Sequence, residues 1–327
     1  MDLKTAEPNF SVHINGIDLS HPIKDRIVSL RTTDAAGILS DSCEIELDDF
    51  DEAIQMPKTE AKVEVSLGYK ETELTKIGSY FVKEIEIDGA RKVIKISANA
   101  ASKKMRSQAT KSHEGTLADF IQNMAANLDL ESAFSEEFED MDLSDFPQFA
   151  ESDMSYLTTL SQKVGAIAKP SNGHLIFANN LEGKSASGKN LPTKYVDISE
   201  VSSYSCSFKE TEESGSIGTV IAYWYDKEKA DYCKALAGSG DPITELDEIF
   251  SSVKDAQSAA NAKIKRIVKA NKQFQFTTFG RPDFFAEHPI VLQGFSSKIP
   301  TNWIISKVEH SLNSSGFITN VTCTISQ

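Results

Sequence analysis

Apolar and polar side chains alternate with a period of two along most of positions 10–98. Phe10-Ser11-Val12-His13-Ile14 runs into Asn15-Gly16, a type I′ hairpin dipeptide, and then into Ile17-Asp18-Leu19. Positions 26–32, 43–47 and 62–67 repeat the period, with apolar groups on one face and charged groups on the other. Positions 80–87, Asp88-Gly89 and positions 93–98 predict a further hairpin. So many half-buried strands leave edges that must be closed or stacked. Positions 1–108 are therefore expected to form a small β-barrel or sandwich.

The period then lengthens to that of a helix. Thr116 with Asp119 three residues on makes a capping-box start, Asp replacing the usual Glu or Gln, and Leu117, Phe120, Ile121, Met124 and Leu128 mark one face. Positions 136–142 read as a solvated acidic loop. Ser152 or Asp153 caps a second helix with Met154, Leu157, Leu160, Val164 and Ile167 on its apolar face, ending between Gly165 and Pro170. Asn172-Gly173 turns the chain into the strand His174-Leu175-Ile176-Phe177. Positions 109–190 thus predict a compact α/β insert.

A Gly/Ser/Lys loop at 183–189 leads to a second β region, 191–327, with strands at 201–208, 217–225, 274–278, 290–292, 303–312 and 317–325. A helical insertion around 227–271 interrupts it. Phe250, Val253, Ala256, Ala260, Ile264 and Ile267 would form the buried stripe; Lys254, Asp255, Lys265, Arg266 and Lys269 the wet side. An internal echo stands out. Tyr80-Phe81-Val82-Lys83-Glu84-Ile85-Glu86 lies without a gap over Trp303-Ile304-Ile305-Ser306-Lys307-Val308-Glu309, each followed by a glycine (Gly89, Gly316) and a return strand. Either one barrel occurs twice, or two hairpins share a common pattern.

Composition narrows the function. Of 327 residues 40% are apolar and 25% charged, which suits two or three folded domains. A net charge of −14 argues against a nucleic-acid-binding surface, which needs clustered Lys and Arg. No apolar run approaches the roughly 20 residues of a membrane helix, and the opening Met1-Asp2-Leu3-Lys4-Thr5-Ala6-Glu7-Pro8 lacks a secretory h-region. Cys43, Cys206, Cys233 and Cys323 show no CxxC spacing; free thiols in a reduced cytoplasm are expected over a disulfide.

Candidate chemistry is sparse. The acidic runs 48–52 and 136–142 are local, as solvated faces are, whereas paired catalytic carboxylates must flank a cleft. The histidines (His13, His21, His113, His174, His288, His310) form no HExxH and no i, i+4 pair. His310 is expected to be a hydrogen-bonded structural residue on the face opposite Glu309, and Trp303 a core residue. There is no GxSxG elbow and no phosphate-binding glycine pattern; Gly238-Ser239-Gly240-Asp241-Pro242 reads as a flexible connection. The basic helix ending at Lys269 and Lys272 is either a solvated face or a contact for an acidic neighbour. No catalytic, cofactor or metal site is predicted.

Three segments resemble the phage late control gene D family: Val12-His13-Ile14-Asn15-Gly16 with 34–47; Glu151-Ser152-Asp153-Met154-Ser155-Tyr156-Leu157 with Leu160, Gly165-Ala166 and Gly173-His174-Leu175-Ile176-Phe177; and Trp303-Ile304-Ile305-Ser306-Lys307-Val308-Glu309-His310-Ser311-Leu312 with Ser315-Gly316-Phe317-Ile318-Thr319. That family includes contractile-tail baseplate hubs and is related to the N-terminal half of the VgrG spike proteins. The resemblance implies a non-enzymatic structural hub, mainly β, with two tube-protein-like β-barrels and a small α/β domain. It implies a homotrimer joining a hexameric tail tube to a trimeric central spike, beside other baseplate proteins. Genomic DNA would pass without specific binding, no membrane would be engaged, and the place of assembly would be the host cytoplasm. Rival readings are a hub-like part of a type VI secretion or tailocin spike, a tail-associated cell-wall-degrading enzyme and a glycan-binding β protein.

Overall fold

The computed structural model describes residues 6–37, 40–144, 146–171, 173–180, 182–208 and 218–325, without the side chains of 266 and 268–271. Met1 to Thr5, Asn172, Ile217 and the side chains of Arg266 and Lys269 therefore lie outside the described residues. The first part contains β1 (Pro8–Ile14), β2 (Ile17–Asp18), the short turn α1 (Ser20–Ile23), β3 (Ile27–Ala35), β4 (Ser42–Asp48), β5 (Lys62–Tyr69), β6 (Thr75–Asp88), β7 (Val93–Asn99) and α2 (Lys103–Arg106). The middle contains β8 (Gln108–Lys111), α3 (Leu117–Asn127), β9 (Glu131–Phe134), β10 (Gln148–Ser152), α4 (Asp153–Val164), β11 (Ala166–Ser171) and β12 (His174–Asn179). The last part contains β13 (Lys194–Asp197), β14 (Val201–Phe208), β15 (Gly218–Asp226), β16 (Asp231–Ser239), β17 (Ile243–Phe250), α5 (Val253–Asn271), β18 (Lys272–Phe279), β19 (Pro289–Gln293), β20 (Asn302–Asn313) and β21 (Gly316–Ile325). The protein is mostly β with few helices, as expected. None of the described helices is long and apolar enough to cross a membrane.

The two β parts repeat one strand order. The first runs β3-β4-β7-β6-β5-β1 and the last β14-β18-β21-β20-β19-β13. The register repeats as well. Val82 faces Ala98 and Glu84 faces Ser97, with Lys83 bulged out; Ile305 faces Cys323 and Lys307 faces Thr322, with Ser306 bulged out. A second bulge follows the same rule, between Ile27 and Ser29 in β3 and between Val201 and Ser203 in β14. A bulge re-aims every side chain beyond it, so two bulges at matched positions go beyond what unrelated hairpins would share. One difference remains: β1 joins β5 antiparallel, whereas β13 joins β19 parallel. Alternation puts Val63, Val65, Tyr80, Val82, Ile94 and Ile96 in one core, and Phe274, Phe276, Trp303, Ile305, Val321 and Cys323 in the other. Trp303 is 1% exposed and its indole N–H donates to the Pro300 carbonyl at 2.6 Å.

The insert follows its sequence signals closely. Thr116 and Asp119 make the reciprocal capping box, and the Ser152 hydroxyl accepts from the Ser155 N–H at 3.1 Å. Gly165, at φ 75°, ends α4 in the left-handed region where an L side chain is strained. Four expectations need correction. Ile167 belongs to β11, because the helix stops at Gly165. The loop 136–142 is not wholly solvated: Phe138 closes a 3-10 turn and is buried against Phe177. The insertion before α5 is largely sheet: β16-β15-β17 lies against the helix, Gly238 and Ser239 end β16, and 240–242 is the turn joining it to β17. Val253, at the first helical position, is 52% exposed rather than in the buried stripe.

A buried ammonium ties the three parts together. Lys169 of β11 donates from Nζ to Asp34 Oδ1 at 2.6 Å, the Ala35 carbonyl at 2.8 Å and Asp41 Oδ1 at 3.0 Å. Asp34 Oδ2 also accepts from the Ala286 N–H at 2.8 Å, and Asp41 Oδ2 from the Ser171 hydroxyl at 3.1 Å. Burial alone would raise Asp34, but Lys169 holds it below the ordinary carboxylate range. Burial and the Asp34 charge push Asp41 up to about 7. The Asp41 value stands above its unfolded one, so its contribution to stability is full below the ordinary carboxylate range and is lost as pH rises through about 7. Asp34 acts in the opposite sense, its contribution vanishing on acidification. Removing one partner of a buried ion cluster costs about 3–5 kcal/mol. Lys169→Met is therefore expected to destabilise the protein by that order in urea titrations, more at pH 8 than at pH 5. Asp41→Asn should flatten the stability profile between those values; a variant whose profile parallels the wild type contradicts this assignment.

Candidate assembly interface

The two halves are joined edge to edge. Strand β3 pairs antiparallel with β20 over seven residue pairs, from Lys307↔Ala35 to Asn313↔Ser29, so one sheet runs through both. Leu312 and Phe317 of the last part complete the core of the first, and the Tyr69 hydroxyl donates to the Gly280 carbonyl at 2.9 Å. A Cβ on Gly280 would meet the Phe317 ring at 2.0 Å, so only glycine allows this approach.

His310 sits on that seam, 1% exposed, opposite Thr32. Burial pulls its pKa down to about 4, so the ring is neutral near pH 7. Its Nε2–H donates to the Phe284 carbonyl at 3.3 Å, and Nδ1 accepts from the Thr319 hydroxyl at 3.0 Å, a tautomer assigned from the network. This is the structural role expected of it, and Glu309 points to the other face, 3.7 Å from Arg31.

The remaining edges differ in how they end. β1 is sealed: its Val12 N–H donates to Ser20 Oγ at 3.0 Å and its Val12 carbonyl accepts from Leu19 at 2.9 Å. β14 pairs with β18 alone among the described strands, and most of its residues are exposed, Tyr204 by 45% and Phe208 by 48%. The far arm of β6, residues 84–88, pairs with β7 but is past the end of β5; its Ile87 is 60% exposed. A second apolar surface lies on the face of β16-β15-β17 away from α5, where Tyr232, Leu236, Ile243 and Ile249 are exposed.

The groups that could have carried chemistry do not converge. Asp51 is paired with Arg26 at 2.6–2.7 Å, a hydrogen bond that draws its pKa down to about 2, and Glu52 is paired with Lys92. His113 bonds Gln148 Oε1 at 3.0 Å and His174 lies 3.1 Å from Glu131, in separate places. Among the described residues no cluster of His, Cys, Asp and Glu is arranged to hold a metal. Cys43 and Cys323 are buried free thiols. A cleft of about 580 Å3 between the insert and α5 has Phe138, Phe146 and Phe250 among its lining, with Lys163, Lys254, Asp140 and Asp255 around them. Ser251, which also lines it, lies 3.5 Å from Asp255 Oδ2, but that carboxylate is held at 2.6 Å by the Ser252 hydroxyl that caps α5. Sequence reading missed Lys169, Asp34 and Asp41 as a group. A lysine within the apolar run Ala166-Ile167-Ala168-Lys169-Pro170 was the available signal.

No protein-family profile matches the chain. Two relatives match it nearly end to end. The probable baseplate hub protein of Escherichia phage 186 is 27% identical, covering 96% of this chain and 92% of that protein. The probable baseplate hub protein of Escherichia phage P2 is 26% identical, covering 97% and 93%. Among solved structures, the 43 kDa tail protein of prophage MuSo2 from Shewanella oneidensis has a TM-score of 0.70 at 11% identity, covering 98% of each chain. The E. coli c3393 protein, a component of the type VI secretion system, has a TM-score of 0.55 at 11% identity, covering 97% of this chain and 76% of that one. Fold and sequence agree: over nearly its whole length this chain is similar in sequence to the probable baseplate hub proteins of these two phages, and its fold is that of phage tail proteins.

Proposed function

We propose that this chain is the structural hub of a contractile-tail baseplate, a homotrimeric adapter between a sixfold tail tube and a threefold central spike, with no catalytic step of its own. The supporting observation is the strand order that recurs, bulges included, in the first and last parts. In this reading 1–108 and 191–327 are tube-like barrels and 109–190 is a separate α/β domain. Three copies present six equivalent barrels to the tube while keeping true threefold symmetry for the spike. Heterologous contacts that close into a ring satisfy free sheet edges without leaving an open filament. The protein would take its place in the virion baseplate after assembly in the host cytoplasm.

The face of the shared sheet turned away from both cores suits a channel wall. In the first part it carries Glu44, Glu46, Glu84 and Glu86, with Lys95 3.7 Å from Glu44. In the last part it carries uncharged Ser203, Ser205, Ser207, Gln273, Gln275 and Thr277. The cations on this face, Arg31, Lys95 and Lys307, lie 3.6–3.7 Å from Glu309 or Glu44. The wall thus offers duplex phosphates little free counter-charge to hold, and DNA would pass without sticking.

Three outcomes test the proposal. Co-expressed with the neighbouring spike protein, the chain should give three copies per complex in native mass spectrometry; two copies, or an open-ended series, contradicts the adapter. Peptidoglycan zymograms should stay dark, and clearing would revive the enzyme reading. Wild-type hub should leave duplex DNA unshifted in gels at about 0.15 M salt, whereas Glu44→Lys, Glu46→Lys, Glu84→Lys and Glu86→Lys together should retain it in a salt-sensitive way. Retention by the wild type would overturn the inert wall.

A further inference from the structure

The junction around Lys169 sets one cation against two acids. Lys169 is 4% and Asp41 6% exposed, and Asp34 and Asp41 both bond the same ammonium. Fully ionised, this group would bury one negative charge too many, and an uncompensated buried charge is costly. Asp34 and Asp41 also meet side chain to side chain, and two carboxyl groups hydrogen-bond only with a proton between them. The groups around them do not supply the missing positive charge. Cys43 and Tyr80 of the first part are raised far above their ordinary range by burial and stay neutral. His288 and His310 of the last part are lowered by burial, and Lys194 is paired with Asp283 at 3.0 Å. Lys169 itself is held charged by the two acids.

The way the insert docks makes it responsive to that charge. The insert has a core of its own, with Ile121, Leu157, Leu160 and Phe177, which among the described residues shares no member with the cores of the two β parts. Packing beside the junction is incomplete. A groove of about 260 Å3 runs between Phe81 of the first part and Pro170 of the insert, with Lys62 and Asp129 on its walls. The other ion pairs that hold the insert, Arg106 with Glu60 and Lys163 with Glu248, are at least partly exposed and contribute little. We propose that the junction is a proton-operated latch: one proton shared by Asp41 and Asp34 keeps the insert docked, and its loss releases β11 and β12 from the first part while every part keeps its own fold. Release breaks the Asp41 O–H bond and passes the proton to a solvent base. The Ser171 hydroxyl, 3.1 Å from Asp41 Oδ2 and half-buried in the groove wall, gives it a path.

Asp41 is pushed up to about 7 while docked and returns to about 4 once hydrated. Linkage then sets the sign: docking is strongest in acid and weakens about tenfold per pH unit until about pH 7, where it levels off. The test is pulsed electron spin resonance on the full chain in a Cys206→Ser, Cys233→Ser background. Nitroxides on Glu131→Cys of the insert and Glu71→Cys of the first part, both exposed, should give one distance at pH 5. A second distance should grow with pH in that tenfold ratio and plateau above about 7. A control pair, Glu71→Cys with Ser314→Cys, should keep one distance throughout, because the two β parts stay joined. Asp41→Asn should abolish the response, although it leaves His288 and His310 in place. Ser171→Ala removes a bond that favours ionised Asp41, so its plateau should begin at higher pH; this shift decides the matter if Asp41→Asn does not fold. A single unchanged distance from pH 5 to 9, or a response that survives Asp41→Asn, overturns the latch. So does a control distance that changes alongside, since the event would then be unfolding rather than undocking.

Discussion

Main-chain N–H and C=O groups at a sheet edge must find partners, and that constraint organises this molecule. The seven-pair junction of β3 with β20 meets it between the two halves. Each hydrogen bond there is worth only about 1 kcal/mol net. The junction is nonetheless fixed in register by what surrounds it: Leu312 and Phe317 reach into the neighbouring core, and Tyr69 reaches back to Gly280. A one-residue slip would turn His310 and Leu312 out of their buried sites. Among the described strands, the pairing that the chain makes with itself ends at β14 and along residues 84–88 of β6.

The polar junction around Lys169 serves a different purpose from the sheet seam. Strand pairing cannot tie down an insert that shares no strand with the large sheet. Lys169, bonded to Asp34, Asp41 and the Ala35 carbonyl, and Ser171, bonded to Asp41, do so through four hydrogen bonds, while Asp34 also holds the Ala286 N–H of the last part. Such an arrangement contributes little to net stability against an apolar alternative, but it penalises any other docking geometry by leaving charges buried and unpaired.

Much of this was legible in the sequence, for physical reasons that also mark where reading failed. The Tyr80–Glu86 and Trp303–Glu309 echo was visible because a large aromatic followed by strict alternation survives in both halves. The matched bulges were not, since Lys83 and Ser306 look like ordinary solvent-facing positions until the pairing is known. Capping residues Thr116 and Ser152 announced their helices through local chemistry. Strands β16 and β17 escaped notice because small residues such as Ala235 and Ala237 face α5 while Leu236, Ile243 and Ile249 face outward, which blurs the usual contrast. Val253 was placed in the buried stripe by periodicity alone, though a first-turn residue can lie beyond the sheet. The Lys169–Asp34 contact spans 135 positions, beyond the reach of any local pattern.

The central claim is that each polypeptide supplies two interchangeable wall segments to one ring. Electron cryomicroscopy of the hub held between spike and tube tests it most directly. The account predicts a ring of six lobes from three chains, the two lobes of each chain joined by the β3–β20 pairing. A ring with one lobe per chain, or lobes whose neighbours touch through the β16-β15-β17 face instead, would contradict it.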